Sequence, residues 1–241
     1  MKTLRKIVRF LDRAEDLMIF LLCIALLLAG SYALYDSYLV YEKANDTSLL
    51  KYKPGYGAET EEDKEIKGNM VAWVTLEDTT VDYPVMQGET NTEYLNKDPF
   101  GEYSMSGSIF LDSRNAPDFS DDYSLTYGHH MEHGLMFGAL DAFLEEGYFN
   151  SHKSGSLTVG NVTYEIRIFA VVEAEATNEA VFAPTVTKVS ETLDYIEKHA
   201  LFLDREVFSD DSHPVLGMST CKYPDTADRT IVFGRLCPQE N

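Results

Sequence analysis

The chain has 241 residues, 44% of them hydrophobic, which is enough to form one sizeable domain with its own core and a small appendage. Its formal net charge of −20 argues against nucleic acid as a partner, because binding to a phosphate backbone needs a basic surface. The same acidity disfavours binding flat against anionic lipid. The sequence contains no internal repeat and no low-complexity tract.

The first feature along the chain is an uncharged apolar run at 17–35, LMIFLLCIALLLAGSYALY. Its length is close to the ~20 residues that cross a bilayer as a helix. Cations precede it at Lys2, Arg5, Lys6, Arg9 and Arg13. The positive-inside rule keeps such an end in the cytoplasm, so the rest of the chain is expected outside. We predict a basic cytoplasmic head at 1–16 and a transmembrane anchor at 17–39.

A cleaved signal peptide is the alternative interpretation of this run. The apolar part of a signal peptide spans about 7–15 residues and ends at a site of small residues. Ala29-Gly30-Ser31 offers such a site, but the apolar run continues beyond it. The length of the run therefore favours an anchor that is not cleaved.

Residues 40–67 are polar and contain Pro54, Gly55 and Gly57, which predicts a stalk with room for a short helix. From Met70 onwards, short β-branched and aromatic runs are separated by turn residues, a pattern typical of strands. Eight strands are predicted, at 71–76, 81–87, 106–112, 123–129, 155–160, 163–176, 213–220 and 229–236. Many strands at regular spacing with few helices indicate a closed barrel.

Two helical patterns interrupt these strands. Apolar residues at helical spacing run through 136–144, and Gly147 follows as a stop signal. A second helix is predicted at 190–203, after Ser190 as N-cap. We predict a mainly β fold: a closed eight-stranded β-barrel with a few peripheral helices, preceded by one transmembrane helix.

The three cysteines are Cys23 in the apolar run and Cys221 and Cys237 in the outer region. Disulfides form outside the cell, so a bridge between the outer two has to be considered. If 213–220 and 229–236 pair as a hairpin, the two cysteines lie at opposite ends, ~25 Å apart at ~3.3 Å per residue. A disulfide needs Cα atoms within ~7 Å. The sequence therefore predicts a free thiol at Cys221.

The stretch 127–134, YGHHMEHG, contains three of the six histidines. His129 to His133 match the H-x-x-E-H pattern of inverted zinc proteases, which needs both histidines on one face of a helix. Glycines flank the stretch, the residues before it alternate as a strand does, and no third ligand is evident downstream. These features argue against a zinc centre.

Cysteine nucleophilic catalysis is the competing interpretation. A thiolate nucleophile needs an imidazole as acid and base and a group that stabilises the oxyanion. His129, Cys221 and Arg229 each stand at the end or start of a predicted strand, where distant residues can converge at one rim of a barrel. The purely structural alternative is a buried cysteine, a turn histidine and a surface arginine.

The residues around this trio resemble the sortase family. Thr220-Cys221 followed by Arg229 resembles the T-C…R signature of sortases, and Tyr127-Gly128-His129 resembles their histidine motif. SGSIFLDSRN at 106–115, YGHHM, MFGAL and the helix before the cysteine strand resemble class B members. The resemblance covers roughly residues 68–236, and the basic head and apolar run fit the usual membrane anchor of the family.

The resemblance implies a membrane-anchored cysteine transpeptidase on the outer face of a Gram-positive cell, with 68–241 as the extracellular sortase catalytic domain. Such enzymes cleave a C-terminal sorting signal after threonine, form a thioester, and transfer the acyl group to an amine. The partners implied are surface proteins or pilins with a sorting signal, and an amine on a cell-wall precursor or a pilin lysine. The overall pattern is also similar to class B members that polymerise pilins, and for an enzyme of that kind the accepting amine is a pilin lysine. No metal or cofactor is implied.

Carried over by motif, Cys221 is the nucleophile and His129 the acid and base. Arg229 positions the signal and stabilises the oxyanion. Positions that contact the signal in class B members match four residues: Asn91, Leu95, Tyr127 and Ser219. The sequence departs from the family pattern just before the cysteine, where Gly217 and Met218 replace larger or polar groups, which affects the expected shape of the groove.

Two other functions remain open on the sequence. A thiol hydrolase would pass the acyl group to water, whereas a transpeptidase yields a new amide when an amine is added. A non-catalytic module that binds sorting signals or wall peptides would keep its function after Cys221→Ala.

Overall fold

The computed structural model of the protein describes residues 2–55, 69–221 and 228–239; for Cys221 it describes the backbone alone. The chain divides into two compact units, Met1–Lys43 and Ala44–Asn241.

The first unit is one helix, α1, which spans Lys2–Ala44. An 18-residue window within it has a mean hydropathy of 2.5, and its apolar side chains are exposed, so α1 is a candidate membrane anchor. The helix passes without a break through the predicted head, the predicted anchor and the first residues of the predicted stalk. A change in secondary structure therefore marks neither predicted boundary.

The second unit begins with a 3-10 helix at Thr47–Tyr52, capped by the Asp46 side chain, which accepts from the Ser48 amide. Leu49 and Tyr52 are buried against Trp73. This part of the predicted stalk thus packs onto the domain, while residues 56–67 lie outside the described residues.

The domain is a β-barrel. Within the described residues, one sheet contains nine strands: β1 Met70–Leu76, β2 Asp82–Met86, β3 Ile109–Leu111, β4 Tyr123–Gly128, β5 Ser154–Val159, β6 Val162–Glu175, β7 Phe202–Leu203, β8 Val215–Cys221 and β9 Asp228–Pro238. Their order is β5-β1-β2-β3-β4-β8-β9-β6-β7, and β5 also pairs with β6. That pairing closes eight strands, as predicted, and β7 adds a short ninth at the edge of β6.

Two strand pairs are parallel, β2 with β3 and β4 with β8. β3 is shorter than the predicted strand 106–112, because Gly107 adopts a φ of +58 in a turn that ends just before it. The parallel pairing of β4 with β8 has the larger consequence, since it brings the histidine strand beside the cysteine strand.

In the part of the domain that the structure describes, four short α-helices lie on the barrel: α2 Glu146–Ser151, α3 Glu179–Phe182, α4 Val189–His199 and α5 Arg205–Phe208. α4 confirms the second predicted helix, but the predicted N-cap is wrong: Lys188 is the N-cap, without a side-chain hydrogen bond, and Ser190 lies inside the helix. The first predicted helix is a 3-10 helix at Phe137–Leu144 whose apolar side chains enter the core.

Successive side chains of each strand point to opposite faces of the sheet, so the strands have one apolar cluster on the inner face and another on the outer face. In β8, Leu216 and Met218 point into the barrel, where they join the main core. Val215 belongs to a second cluster on the outer face of β4, β8 and β9, which α3 and α4 cover. A groove lies beside this covered face, bordered by Tyr127 of β4, Phe182 of α3 and Arg229 of β9.

Cys237 is a free cysteine in β9, where it lies opposite Glu165. Cys221 pairs with Arg229 at the other end of the hairpin. Eight residues of β9 separate Arg229 from Cys237, or ~26 Å at ~3.3 Å per residue.

Candidate active site

Strand register brings the predicted catalytic trio to one end of the barrel. β4 and β8 run parallel with Tyr127 beside Ser219 and Gly128 beside Thr220. The next residues along these two strands are His129 and Cys221. In turn, Cys221 pairs with Arg229 of β9. Since neighbouring strands are ~4.8 Å apart, three backbone positions far apart in sequence lie within two strand spacings, about 10 Å. The thiol of Cys221 lies outside the described part of the structure.

The His129 ring is held by a backbone carbonyl. Its Nε2 lies 2.7 Å from the oxygen of Leu95. Because a carbonyl oxygen only accepts, Nε2 carries the hydrogen of this bond, and Nδ1 is the ring atom left to exchange a proton. The His129 carbonyl accepts from the Phe137 amide at 3.1 Å, which fixes the backbone as well.

Gly128 is required for this position of the histidine. A Cβ at Gly128 would lie 2.4 Å from Cδ1 of Ile109 and 2.8 Å from the Phe137 ring. A side chain here would push His129 away from the end of β4. Close packing against Ile109 and Phe137 thus explains why the Tyr127-Gly128-His129 motif has glycine at its centre.

The Leu95 carbonyl belongs to a tightly packed loop. The 3-10 helix Glu93–Leu95 is anchored by Tyr94, which is 2% exposed. The Tyr94 carbonyl accepts from the Ser108 amide at 3.0 Å. Gly107 passes so close that an added Cβ would lie 2.6 Å from the Leu95 oxygen. Leu95 therefore acts on the site through its backbone carbonyl, which holds the His129 ring.

Arg229 is positioned by two strands, since its backbone pairs with Cys221 of β8 and with Ala174 of β6. Its guanidinium donates to the Asp228 carbonyl at 3.2 Å. The side chain borders a groove of about 320 Å³. The groove is lined by Asn91, Phe110, Arg114, Tyr127, Ala176, Phe182 and Arg229.

The groove brings together three of the predicted site residues, Asn91, Tyr127 and Arg229. Ser219 does not line it. That side chain is 1% exposed, between Tyr127 and Ile231 in the sheet, and its Oγ has no hydrogen-bond partner among the described residues. Ser219 is thus a buried neighbour of Tyr127 in the sheet.

One buried carboxylate organises the polar wall of the groove. Asp112, with a side chain that is 0% exposed, accepts from Asn91 at 2.8 Å and from the Tyr127 hydroxyl at 2.9 Å. Arg114 donates to both Asp112 oxygens, at 2.8 and 2.7 Å, and to the Phe182 carbonyl at 2.6 Å. Asp112 therefore fixes three groove side chains at once.

The hydrogen bonds decide the charge of this carboxylate. Burial raises the pKa of Asp112, but hydrogen bonds from Arg114 and Tyr127 outweigh burial and leave that pKa below its usual range. Burial, followed by the negative charge of Asp112, raises the pKa of Tyr127 far above its usual value. At neutral pH the wall therefore consists of a carboxylate, a guanidinium and a neutral hydroxyl donor.

The sequence analysis missed Asp112 and Arg114 as site residues. Their signal lies in SGSIFLDSRN, where charged residues directly follow the buried strand β3. A buried carboxylate needs hydrogen-bonding or charged partners, so a charged residue directly after a buried strand indicates a polar site at that strand end.

The stretch His129–His133 does not form the helix that the zinc pattern requires. His130 instead pairs with Asp141 through an Nε2–Oδ2 distance of 2.7 Å. His133 adopts a φ of +61 within a 3-10 turn at Glu132–Gly134. The two histidines of the pattern thus do not share a helical face.

The unusual Gly217 of the cysteine strand is explained by packing. A Cβ there would lie 2.9 Å from the Tyr123 hydroxyl and from Cδ1 of Leu125. The Tyr123 hydroxyl donates to the Val181 carbonyl at 3.0 Å, linking β4 to α3. In this chain a tyrosine occupies the space that a larger residue at 217 would fill.

Comparison with known proteins identifies the fold and the family. Residues 74–237 match the sortase domain family model. A sortase B of Listeria monocytogenes is 30% identical over 206 residues, covering 83% of this chain and 82% of the relative.

Solved structures agree. A class B sortase of Streptococcus pyogenes involved in pilus biogenesis is 36% identical with a TM-score of 0.66, covering 73% of this chain and 98% of the other. A Staphylococcus aureus sortase B–substrate complex is 25% identical with a TM-score of 0.66, covering 73% of this chain and 83% of the other. The predicted resemblance to class B sortases is confirmed.

Proposed function

The chain belongs to the sortase family and is a cysteine transpeptidase, and we propose that Cys221, His129 and Arg229 carry out its acyl transfer on a C-terminal sorting signal. The observation that carries this assignment is the register of β4, β8 and β9, which joins the three residues at one barrel end. Cys237, the other cysteine of the domain, lies at the opposite end of β9.

The chemistry divides into two balanced steps. His129 takes the thiol proton, and the Cys221 sulfur attacks the carbonyl carbon of the threonine in the signal. The bond from that carbon to the next residue breaks, and the departing amine takes the proton from His129, leaving an acyl thioester. An acceptor amine then attacks the thioester carbon, its proton passes to His129, and the thiolate leaves.

Arg229 stabilises the charge that develops in both steps. Its guanidinium keeps its positive charge at any working pH, so it can face the oxyanion that forms on each attack. Its place at the border of the groove supports a second role, in holding the carbonyl groups of the bound signal.

The groove beside Arg229 is proposed to bind the sorting signal. Asn91 and Tyr127 line it, and Arg114 adds a donor that sequence reasoning did not include. Leu95, whose carbonyl holds His129, and Ser219, the strand neighbour of Tyr127, complete the proposed set of signal-contacting residues. The signal is a peptide, and the groove offers it polar donors from Asn91, Arg114 and Arg229.

The acceptor is proposed to be an amine of a cell-wall precursor or a lysine of a pilin. The pilin lysine is supported by the S. pyogenes relative, a class B sortase involved in pilus biogenesis. We also propose that α1 crosses the membrane with the basic residues 1–16 in the cytoplasm and the catalytic domain, 68–241, outside.

The proposal is tested by product analysis with the full chain in detergent micelles. A panel of sorting-signal peptides is incubated with a lysine-containing pilin peptide or with a wall-precursor amine. Transpeptidation predicts a new amide to one of these amines. A carboxylic acid product that persists at saturating amine would assign a thiol hydrolase instead. Peptide binding that is unchanged in Cys221→Ala, without any product, would assign a binding module.

A further inference from the structure

A second cluster of ligand-type side chains lies at the other end of the barrel. Asp210, His213 and Cys237 each offer one ligand atom, and these atoms lie within 4.8 Å of one another. Cys221 pairs with Arg229, which lies about 26 Å from Cys237 along β9 at ~3.3 Å per residue. The proposed acyl transfer gives this cluster no role.

We propose that Asp210, His213 and Cys237 form a binding site for a zinc-type divalent cation. A thiolate, an imidazole and a carboxylate are the ligands of Zn²⁺ in proteins, whereas Ca²⁺ and Mg²⁺ prefer oxygen alone. Three protein ligands leave the fourth tetrahedral position to water. This site is independent of the sortase activity.

The geometry requires only a small contraction. Tetrahedral ligands with bonds of about 2.0–2.3 Å to zinc lie roughly 3.5 Å from one another. All three ligand atoms lie within 4.8 Å of one another, and the His213 Nδ1 and Asp210 Oδ2 atoms are 3.0 Å apart in a hydrogen bond that the ion would replace. Their side chains are 29% and 27% exposed, so they can rotate toward Cys237, which is 9% exposed.

The backbone around the ligands is fixed in advance. Arg235, buried beside them, donates to the His213 carbonyl and to the Phe208 carbonyl, both at 2.8 Å. The Leu236 amide donates to the Pro214 carbonyl at 3.0 Å. These bonds hold both ends of the loop 208–214 against β9, so ion binding orders little additional chain.

Charge in the surroundings favours a cation. Asp210, Asp211 and Glu165 act electrostatically on this corner, opposed by two guanidiniums, Arg167 and Arg235. These three carboxylates outnumber the two guanidiniums by one negative charge.

Co²⁺ reports this site by spectroscopy, because tetrahedral cobalt thiolates absorb strongly. The full chain in detergent micelles, free of a histidine tag, carries Cys221→Ala, so that its remaining thiols are Cys237 and Cys23 in α1. We expect a thiolate-to-cobalt charge-transfer band that Zn²⁺ displaces. Cys237→Ser should abolish the band, and His213→Ala should weaken Co²⁺ binding by more than about tenfold.

His199→Ala is the matched control, since His199 is exposed and bonded through Nδ1 to the Tyr195 carbonyl of its own helix. It should leave the cobalt spectrum unchanged. Zn²⁺ should also raise the Tm of the parent chain and not that of Cys237→Ser. Retained acyl transfer by Cys237→Ser, with Cys221 present, establishes that this variant folds. No band in excess Co²⁺, or a band that survives Cys237→Ser, would overturn the proposal.

Discussion

Gly107→Ala tests whether the Leu95 carbonyl positions His129. An added Cβ would lie 2.6 Å from the Leu95 oxygen, whereas ordinary contact begins at 3.4 Å, so the carbonyl must move by about 0.8 Å. Because a displacement of about 1 Å can cost ~10²-fold in rate, we expect kcat/KM to fall by roughly 10- to 100-fold. Peptide cleavage and intact-mass kinetics measure this loss.

Gly160→Ala is a closely matched control. Gly160 has a φ of +57, against +58 for Gly107, but nothing lies within 4 Å of its added Cβ. Both alanines carry the same left-handed strain, about 1–2 kcal/mol, so this contribution to stability loss is shared. Gly107→Ala is then expected to lose activity where Gly160→Ala, assayed below its Tm, does not.

The nitrogen chemical shifts of His129 give a second measurement. Nε2–H bonded to the Leu95 carbonyl predicts that Nε2 carries the proton in the neutral ring. Gly107→Ala should convert this ring into a mixture of tautomers. Equal kcat/KM for the two alanine variants, with an unchanged tautomer in both, would refute the assignment of the carbonyl as a positioning group.

Three further predictions concern the groove and the cysteine strand. Asp112→Asn weakens the charged hydrogen bonds to Arg114, so it should raise KM for the peptide and lower the free energy of unfolding by about 2 kcal/mol. The control Asp118→Asn, at an exposed carboxylate, should change KM and stability little. Peptide kinetics measure KM, and urea unfolding measures stability. The pKa of Asp112 in the folded protein lies below 3.8, so the stability that its carboxylate contributes is fully present above the unfolded pKa and is lost as pH falls through the folded pKa. The stabilities of wild type and Asp112→Asn should therefore converge at low pH in acid unfolding curves. A stability difference that stays constant with pH would contradict this. Gly217→Ala meets Tyr123 and Leu125 at 2.9 Å and should cost about 1–3 kcal/mol in thermal unfolding, while Gly147→Ala, with open space around it, should be neutral or stabilising.

Local sequence patterns predicted the barrel well because each strand is a β-branched or aromatic run bounded by turn residues. They did not predict the parallel pairing of β4 with β8, since register between strands 91 residues apart at Thr126 and Gly217 depends on tertiary packing. The predicted convergence of strand ends therefore rested on the motif resemblance, and the register supplied its geometry.

The limits of local patterns also appear in the helices and the groove. The apolar spacing at 136–144 predicted a helix but not its 3-10 form. Within this helix, Gly138 lies close to the Met131 carbonyl, a tertiary contact that the spacing does not show. Ser190 has the composition of an N-cap, yet α4 begins one residue earlier, at Val189. Asp112 was missed because its importance comes from partners at 91, 114 and 127 that only the fold assembles.

Intact-mass analysis tests the central claim most directly. The full chain is mixed with a sorting-signal peptide, quenched in acid, and the mass adduct is mapped by proteolysis. The account predicts an acyl adduct on Cys221 that hydroxylamine releases, that is lost in Cys221→Ala, and that remains in Cys237→Ser. An adduct on another residue, or peptide turnover by Cys221→Ala, would contradict it.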